Sequence, residues 1–132
     1  MYFFNNKCFY FNSSTGSPSS CPSLAEIKDI QTLNYFKSIL PNGTYWVGFE
    51  RTNNCPNGPT ILKTDFKTSD GTFNLGNTLI NWCPYPSVPL SVRGPGTGND
   101  CPDFVYYDRT KDCFYNDYSS STHKYICMTS AV

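Results

Sequence analysis

Seven cysteines in a chain of 132 residues constrain the fold more than any other feature. A reduced cytosolic protein rarely carries so many unless they hold a metal. Here they stand at 8, 21, 55, 83, 101, 113 and 127, with no Cys-x-x-Cys among them, and His123 is the single histidine. Zinc needs clustered Cys and His ligands, and that spacing fails. The set therefore reads as an oxidised, extracellular chain with about three disulfides and one cysteine left over. The length is that of one domain, spanning 1–132. Ten Lys and Arg balance ten Asp and Glu. The basic residues are scattered, which leaves no footprint for nucleic acid or an anionic membrane. No apolar stretch approaches the ~20 residues of a membrane span. Met1-Tyr2-Phe3-Phe4 is too short for a signal peptide and reads as a cut within a longer natural sequence. Asn12-Ser13-Ser14 and Asn42-Gly43-Thr44 are acceptors for N-glycosylation.

Ten Tyr, ten Phe and two Trp suit a β-rich fold that packs rings across strands. Lys7-Cys8-Phe9-Tyr10-Phe11 is an aromatic strand. A Ser/Gly/Pro stretch follows to Ser20. Leu24, Ile27, Ile30, Leu33, Phe36 and Leu40 recur at helical intervals. Ser23 with Glu26 has capping-box spacing, Asp29 is a second candidate cap, and Pro41-Asn42-Gly43 stops the helix. Residues 45–49 form a strand buried on both faces. Residues 61–66 and 78–82 are candidate short strands. Residues 83–99 make a long Pro/Gly loop without a single Asp or Glu, and a loop of that length in a small domain is usually functional. Residues 104–107 and 114–118 flank a turn at 108–111 and read as a hairpin, and 125–128 is the closing strand.

Several pieces, in order, resemble a known family. Lys7-Cys8-Phe9-Tyr10-Phe11 is similar to the opening strand of C-type lectin-like domains, and Leu24-Ala25-Glu26-Ile27 to the segment before their second helix. Tyr45-Trp46-Val47-Gly48 resembles their Trp-Ile-Gly strand. Phe66-Lys67-Thr68-Ser69-Asp70-Gly71 and Asn81-Trp82 resemble the Trp-x-x-Ser-Asp-Gly and Asn-Trp that follow. Asn99-Asp100-Cys101 and Tyr115-Asn116-Asp117 resemble Glu-Asp-Cys and Trp-Asn-Asp. The resemblance runs from about Lys7 to Met128. It implies an α+β fold with one main helix and two small antiparallel sheets, with 7–11 beside 125–128. It also implies a Cys21–Cys127 bridge. Three departures accompany it. The stretch between Cys8 and Cys21 has lost the sequence of a first helix. The Glu-Pro-Asn calcium and sugar motif is missing after Trp82. The cysteine expected after Trp-Asn-Asp is Ser120. Cys101 therefore needs a substitute partner; Cys83 is preferred to Cys113, and Cys8 is the unpaired cysteine, available for an intermolecular disulfide.

Calcium needs about six to eight oxygen ligands with several carboxylates. Asn116 and Asp117 supply one amide and one carboxylate, and the long loop supplies no acid. The two residues read as hairpin residues bonded to backbone, and neither metal nor other cofactor is expected. His123 has no signature of a catalytic triad around it and reads as a surface residue before the last strand. No enzyme is expected. The function expected is calcium-independent recognition of a protein or other macromolecule by a secreted protein or receptor ectodomain. The contact residues expected are Tyr85 and Arg93 in the loop and Tyr115, Asn116, Asp117 and Tyr118 on the hairpin. The alternatives are a calcium-dependent sugar lectin with unusual ligands, and a structural or inhibitory secreted protein.

Overall fold

The computed structural model describes residues 2–51, 66–69, 71–74, 81, 83 and 104–130. Seven strands and one α-helix are formed there: β1 (Tyr2–Phe4), β2 (Lys7–Gly16), α1 (Ile30–Ile39), β3 (Thr44–Arg51), β4 (Phe66–Lys67), β5 (Phe104–Asp108), β6 (Cys113–Asp117) and β7 (His123–Ser130). The α+β class with one main helix stands. The described strands join in one mixed sheet rather than two small antiparallel ones. Its order is β1-β2-β7-β3-β5-β6, with β4 paired to the end of β3 off this path. One pair is parallel, Tyr45↔Lys124 and Trp46↔Tyr125 between β3 and β7, and this pair links the terminal strands to the hairpin half.

The two ends of the chain meet as expected, with Phe9↔Met128 and Phe11↔Ile126 in the β2–β7 ladder. The β1–β2 hairpin turns on Asn5 and Asn6, both at positive φ (52° and 62°). Asn tolerates that region better than most residues, and two such positions in succession suit a two-residue hairpin turn.

The helix starts six residues later than the Ser23 cap would have it. Asp29 is the working cap, its carboxylate accepting from the Thr32 amide at 2.7 Å. Residues 23–25 are extended because the sheet takes their backbone. Ala25 N donates to Ile126 O at 2.8 Å, Met128 N to Ser23 O at 2.9 Å, and Gly48 N to Ala25 O at 2.7 Å. The segment is thus wedged between β7 and β3, and the Cys21–Cys127 disulfide (Cα–Cα 5.5 Å) pins it there. Pro18–Ser20 is a single 3-10 turn where the first helix of the resemblance would lie.

Leu33 and Phe36 on α1, with its C-cap Leu40, share one buried cluster with Phe9, Val47 and Ile126 of the sheet, and Phe9 meets Phe36 edge-on at 4.9 Å between ring centres. The β5–β6 hairpin is tied to the helix C-terminus. Arg109 Nε donates to Lys37 O at 3.1 Å, and Lys37 Nζ lies 2.8 Å from Asp112 Oδ2. The Tyr107 hydroxyl donates to Asp112 Oδ1 at 2.7 Å. Burial, then the hydrogen bond to Asp112, holds the Tyr107 phenol far above its usual range. Burial alone would raise Asp112, but the hydrogen bonds from Lys37 and Tyr107 outweigh it and leave the carboxyl below its ordinary value.

The disulfide expected from Cys83 to Cys101 is not formed: Cys83 bonds Cys113, with Cα atoms 4.8 Å apart. Two facts make that pair. Asp108 lies opposite Cys113 in the hairpin, because Asp112 takes a left-handed φ of 55° and the turn closes one residue later than the expected 108–111. Asn81 and Cys83 then lie beside β6, Phe114 N donating to Asn81 O at 2.7 Å and Cys83 N to Phe114 O at 2.9 Å. Cys113 is thereby engaged and is no partner for Cys101 either. Cys101 itself lies outside the described residues. Cys8 is a free thiol, half-buried.

Candidate functional site

The end of β6 and the start of β7 converge on one polar cluster. His123 projects from the first position of β7, where the parallel β3–β7 pair brings Thr44 alongside. His123 Nδ1 lies 2.6 Å from Thr44 Oγ1, and Nε2 lies 2.8 Å from Asp117 Oδ2. A carboxylate only accepts, so Nε2 carries a proton; in the neutral ring Nδ1 then accepts from the Thr44 hydroxyl. The ring is stacked on Tyr106 at 4.2 Å and meets Trp46 edge-on at 4.6 Å. Trp46 is fixed in turn by its indole N–H, which donates to Gly16 O at 2.9 Å. The His123 side chain keeps 12% of its exposure and that of Asp117 21%.

Asp117 has a second set of donors. Its Oδ1 accepts from the Tyr118 amide at 2.8 Å and from Ser121 Oγ at 2.9 Å. Burial alone would raise this carboxyl. The hydrogen bonds from His123, the Tyr118 amide and Ser121 more than offset that and hold it below the usual carboxylate range. Tyr106 moves the other way: burial first, then the negative charges of Asp117 and Asp108, push its phenol up to about 12. The cluster is thus an ionised carboxylate that accepts from three donors, beside a neutral phenol.

Calcium is the ion that the Asn116–Asp117 pair suggests, and these two residues do not fit it. A calcium ligand must offer free oxygen lone pairs toward a common centre. Both oxygens of Asp117 already accept, one of them from an imidazole N–H that would be driven against the cation. Asn116 is fully buried on β6, opposite Val105, which places it in the sheet interior.

Thr44, His123 and Asp117 also stand in the order of a nucleophile, a base and an acid. Catalysis asks in addition for a substrate-sized opening at the nucleophile and for donors to an oxyanion. Tyr106 and Trp46 close over the ring instead. Four depressions formed by described residues are lined by none of the three. The cluster works as a clamp that joins β3, β6 and β7.

Of the contact residues expected, Tyr85 and Arg93 lie outside the described residues. Tyr115 is 8% exposed and packs in the core beside Asn116; its ring meets Tyr106 edge-on at 6.2 Å. Asp117 and Tyr118 are half-buried at the hairpin's open end. His123 and Thr44 were not expected at this site. The signal available was strand alternation: His123 is two residues before Tyr125, so both point to the same face as Trp46, the strand partner of Tyr125. Asn42 is exposed, as an acceptor for glycosylation must be. The side chain of Asn12 lies outside the described residues.

Comparison of the sequence with protein-family models gives no match, and comparison with curated proteins gives none either. Comparison of the structure with solved structures does. A calcium-independent type II antifreeze protein superposes with a TM-score of 0.66 at 19% identity, over 99% of this chain and 92% of that one. The carbohydrate-recognition domain of the human scavenger receptor C-type lectin gives 0.67 at 18%, over 98% and 95%. The cow CD23 C-type carbohydrate-recognition domain gives 0.68 at 15%, over 99% and 93%. The chain has the C-type lectin-like fold. At these identities the likeness is one of fold. No helix among the described residues is long and apolar enough to cross a membrane.

Proposed function

We propose that this domain is an extracellular recognition module that binds a protein or other macromolecular ligand without calcium. The observation that carries the reading is the Asp117 cluster. A carboxylate held by His123 Nε2 at 2.8 Å and by two further donors serves the sheet, not a metal. The fold accommodates such a role, since one protein that shares it, the antifreeze protein, is described as calcium-independent. Two disulfides, Cys21–Cys127 and Cys83–Cys113, suit an oxidising compartment. The binding surface on this reading is the 83–99 loop, with Tyr85 and Arg93, together with the open end of the hairpin at Asp117 and Tyr118. Tyr115 and Asn116 support that surface from beneath. No chemical step is assigned to the Thr44–His123–Asp117 array.

Alanine substitution of Tyr85, Arg93 and Tyr118, one at a time, tests the surface once a partner has been captured on the immobilised domain. A loss of about 2 kcal/mol or more at one or more of them is expected, as for buried aromatic and Arg contacts. Wild-type affinity in all three, with weakened binding from substitutions on the outer face of α1, contradicts the assignment.

A further inference from the structure

We propose a second site, at the opposite end of β3 from His123: a subsite for an arginine side chain, built around Glu50 and Phe104. Its origin is a break in the sheet. The β3–β5 ladder runs in register to Val47↔Val105 and resumes at Glu50↔Phe104, so Gly48 and Phe49 have no counterparts on β5. The resulting bulge turns Glu50 outward and opens the surface beneath it.

A depression of about 440 Å³ results, bounded by Ser17, Pro18, Ser19, Glu50, Phe104 and Ser119. It continues past Pro18, Glu50 and Phe104 into a cleft of about 300 Å³ between residues 21–26 and Lys67. Glu50 is the sole charged side chain lining the first depression. Among the described residues its carboxylate makes no ion pair, even with Lys67, its partner across the β3–β4 ladder. Glu26, the acid of the adjoining cleft, is already engaged by the Ser69 amide and hydroxyl at 3.1 and 3.0 Å and by Lys28 at 3.7 Å. One available carboxylate therefore faces the space, beside the half-buried ring of Phe104 and the hydroxyls of Ser17, Ser19 and Ser119.

That combination selects a cation, and a planar one. A guanidinium takes a carboxylate in a two-pronged bond, lies against an aromatic ring, and offers its remaining N–H groups to hydroxyl oxygens. An ammonium matches the charge alone. The arginine belongs to a protein ligand, so this inference rests on the proposed function; the subsite itself involves neither the 83–99 loop nor the Asp117 cluster.

The test uses a small probe, so that it is independent of the partner. Amide chemical shifts of the domain are followed by NMR during addition of Nα-acetyl-arginine amide to about 50 mM, since a lone side chain binds in the millimolar range. Saturable shifts at Ser17, Ser19, Glu50 and Ser119 are expected. Glu50→Gln, an exposed change that leaves packing intact, should weaken binding about tenfold by removing the charge-assisted pair. Phe104→Leu should weaken it by a smaller factor, and the neutral citrulline analogue should not bind. The proposal is overturned if saturable shifts are absent, lie elsewhere or persist in Glu50→Gln, or if the citrulline or lysine analogue binds as well as the arginine one. Failure here leaves calcium-independent recognition standing, because that reading is tested by metal titration.

Discussion

Removing the His123 ring is the perturbation that probes the Asp117 clamp most sharply. In His123→Ala the carboxylate loses a charge-assisted hydrogen bond, a loss of about 1.5–3 kcal/mol. Trp46 and Tyr106 lose an edge contact at 4.6 Å and a stacked contact at 4.2 Å, each about 0.5–1.5 kcal/mol beyond area burial. Because these contributions share one side chain and do not simply add, the expected cost is about 3 kcal/mol. His123→Phe keeps a ring and removes the donor, so it isolates the polar part. Paired with Asp117→Asn in a double-mutant cycle, it should give a coupling of about 1–2 kcal/mol. The pH dependence gives a second reading. The native carboxyl of Asp117 lies below its ordinary value of 3.8. Its contribution to stability is therefore complete above the unfolded value and is lost as pH falls from there through the native one. Urea denaturation from pH 7 to pH 2 should show a shallower acid-side decline in Asp117→Asn than in the wild type. A coupling indistinguishable from zero, with superimposable acid limbs, would refute the clamp.

The remaining predictions concern the frame. Replacing both cysteines of a bridge by Ala should cost roughly 5 kcal/mol for Cys21–Cys127 and roughly 4 kcal/mol for Cys83–Cys113 in the chain-entropy model, given sequence separations of 106 and 30; equal midpoints in guanidinium for wild type and either double variant would contradict this. Peptide mapping of the unreduced protein should recover Cys83 linked to Cys113 and Cys8 as the thiol that alkylates among the five described cysteines; a Cys83–Cys101 peptide would disprove the pairing. Gly48→Ala should destabilise by about 1–3 kcal/mol, because its Cβ would sit 2.7 Å from Leu24 O and 2.9 Å from Ala25 O; an unchanged melting temperature would mean that residues 24–25 are not wedged against β3.

The fold was legible because several short segments carry strong, independent constraints. The aromatic strand at 7–11, the apolar run at 45–49 and the hairpin at 104–118 each have the alternation or burial that their places in the sheet require. The start of the helix was not legible from periodicity. Leu24 and Ile27 fit a helical stripe, yet three backbone hydrogen bonds to β7 and β3 hold residues 23–25 extended, and long-range pairing of that kind leaves no local mark. The hairpin bridge was misread for a similar reason. A one-residue shift of the turn moved Cys113 opposite Asp108, and the backbone bonds of Asn81 and Cys83 to Phe114 then decided its partner. At the candidate site, Asp117 was identifiable from its neighbours Tyr115 and Asn116. The role of His123 was not, because it depends on a parallel strand pair between residues some eighty positions apart: Thr44 and His123 are separated by 79.

Calcium titration by isothermal calorimetry, on protein freed of metal by chelator, tests the central claim most directly. The account predicts no saturable heat and a melting temperature equal in calcium and in chelator, because both oxygens of Asp117 are engaged by donors of the sheet and Asn116 lies inside it. Saturable binding accompanied by a rise of several degrees in melting temperature, the linkage expected of a ligand held by the native state alone, would contradict it.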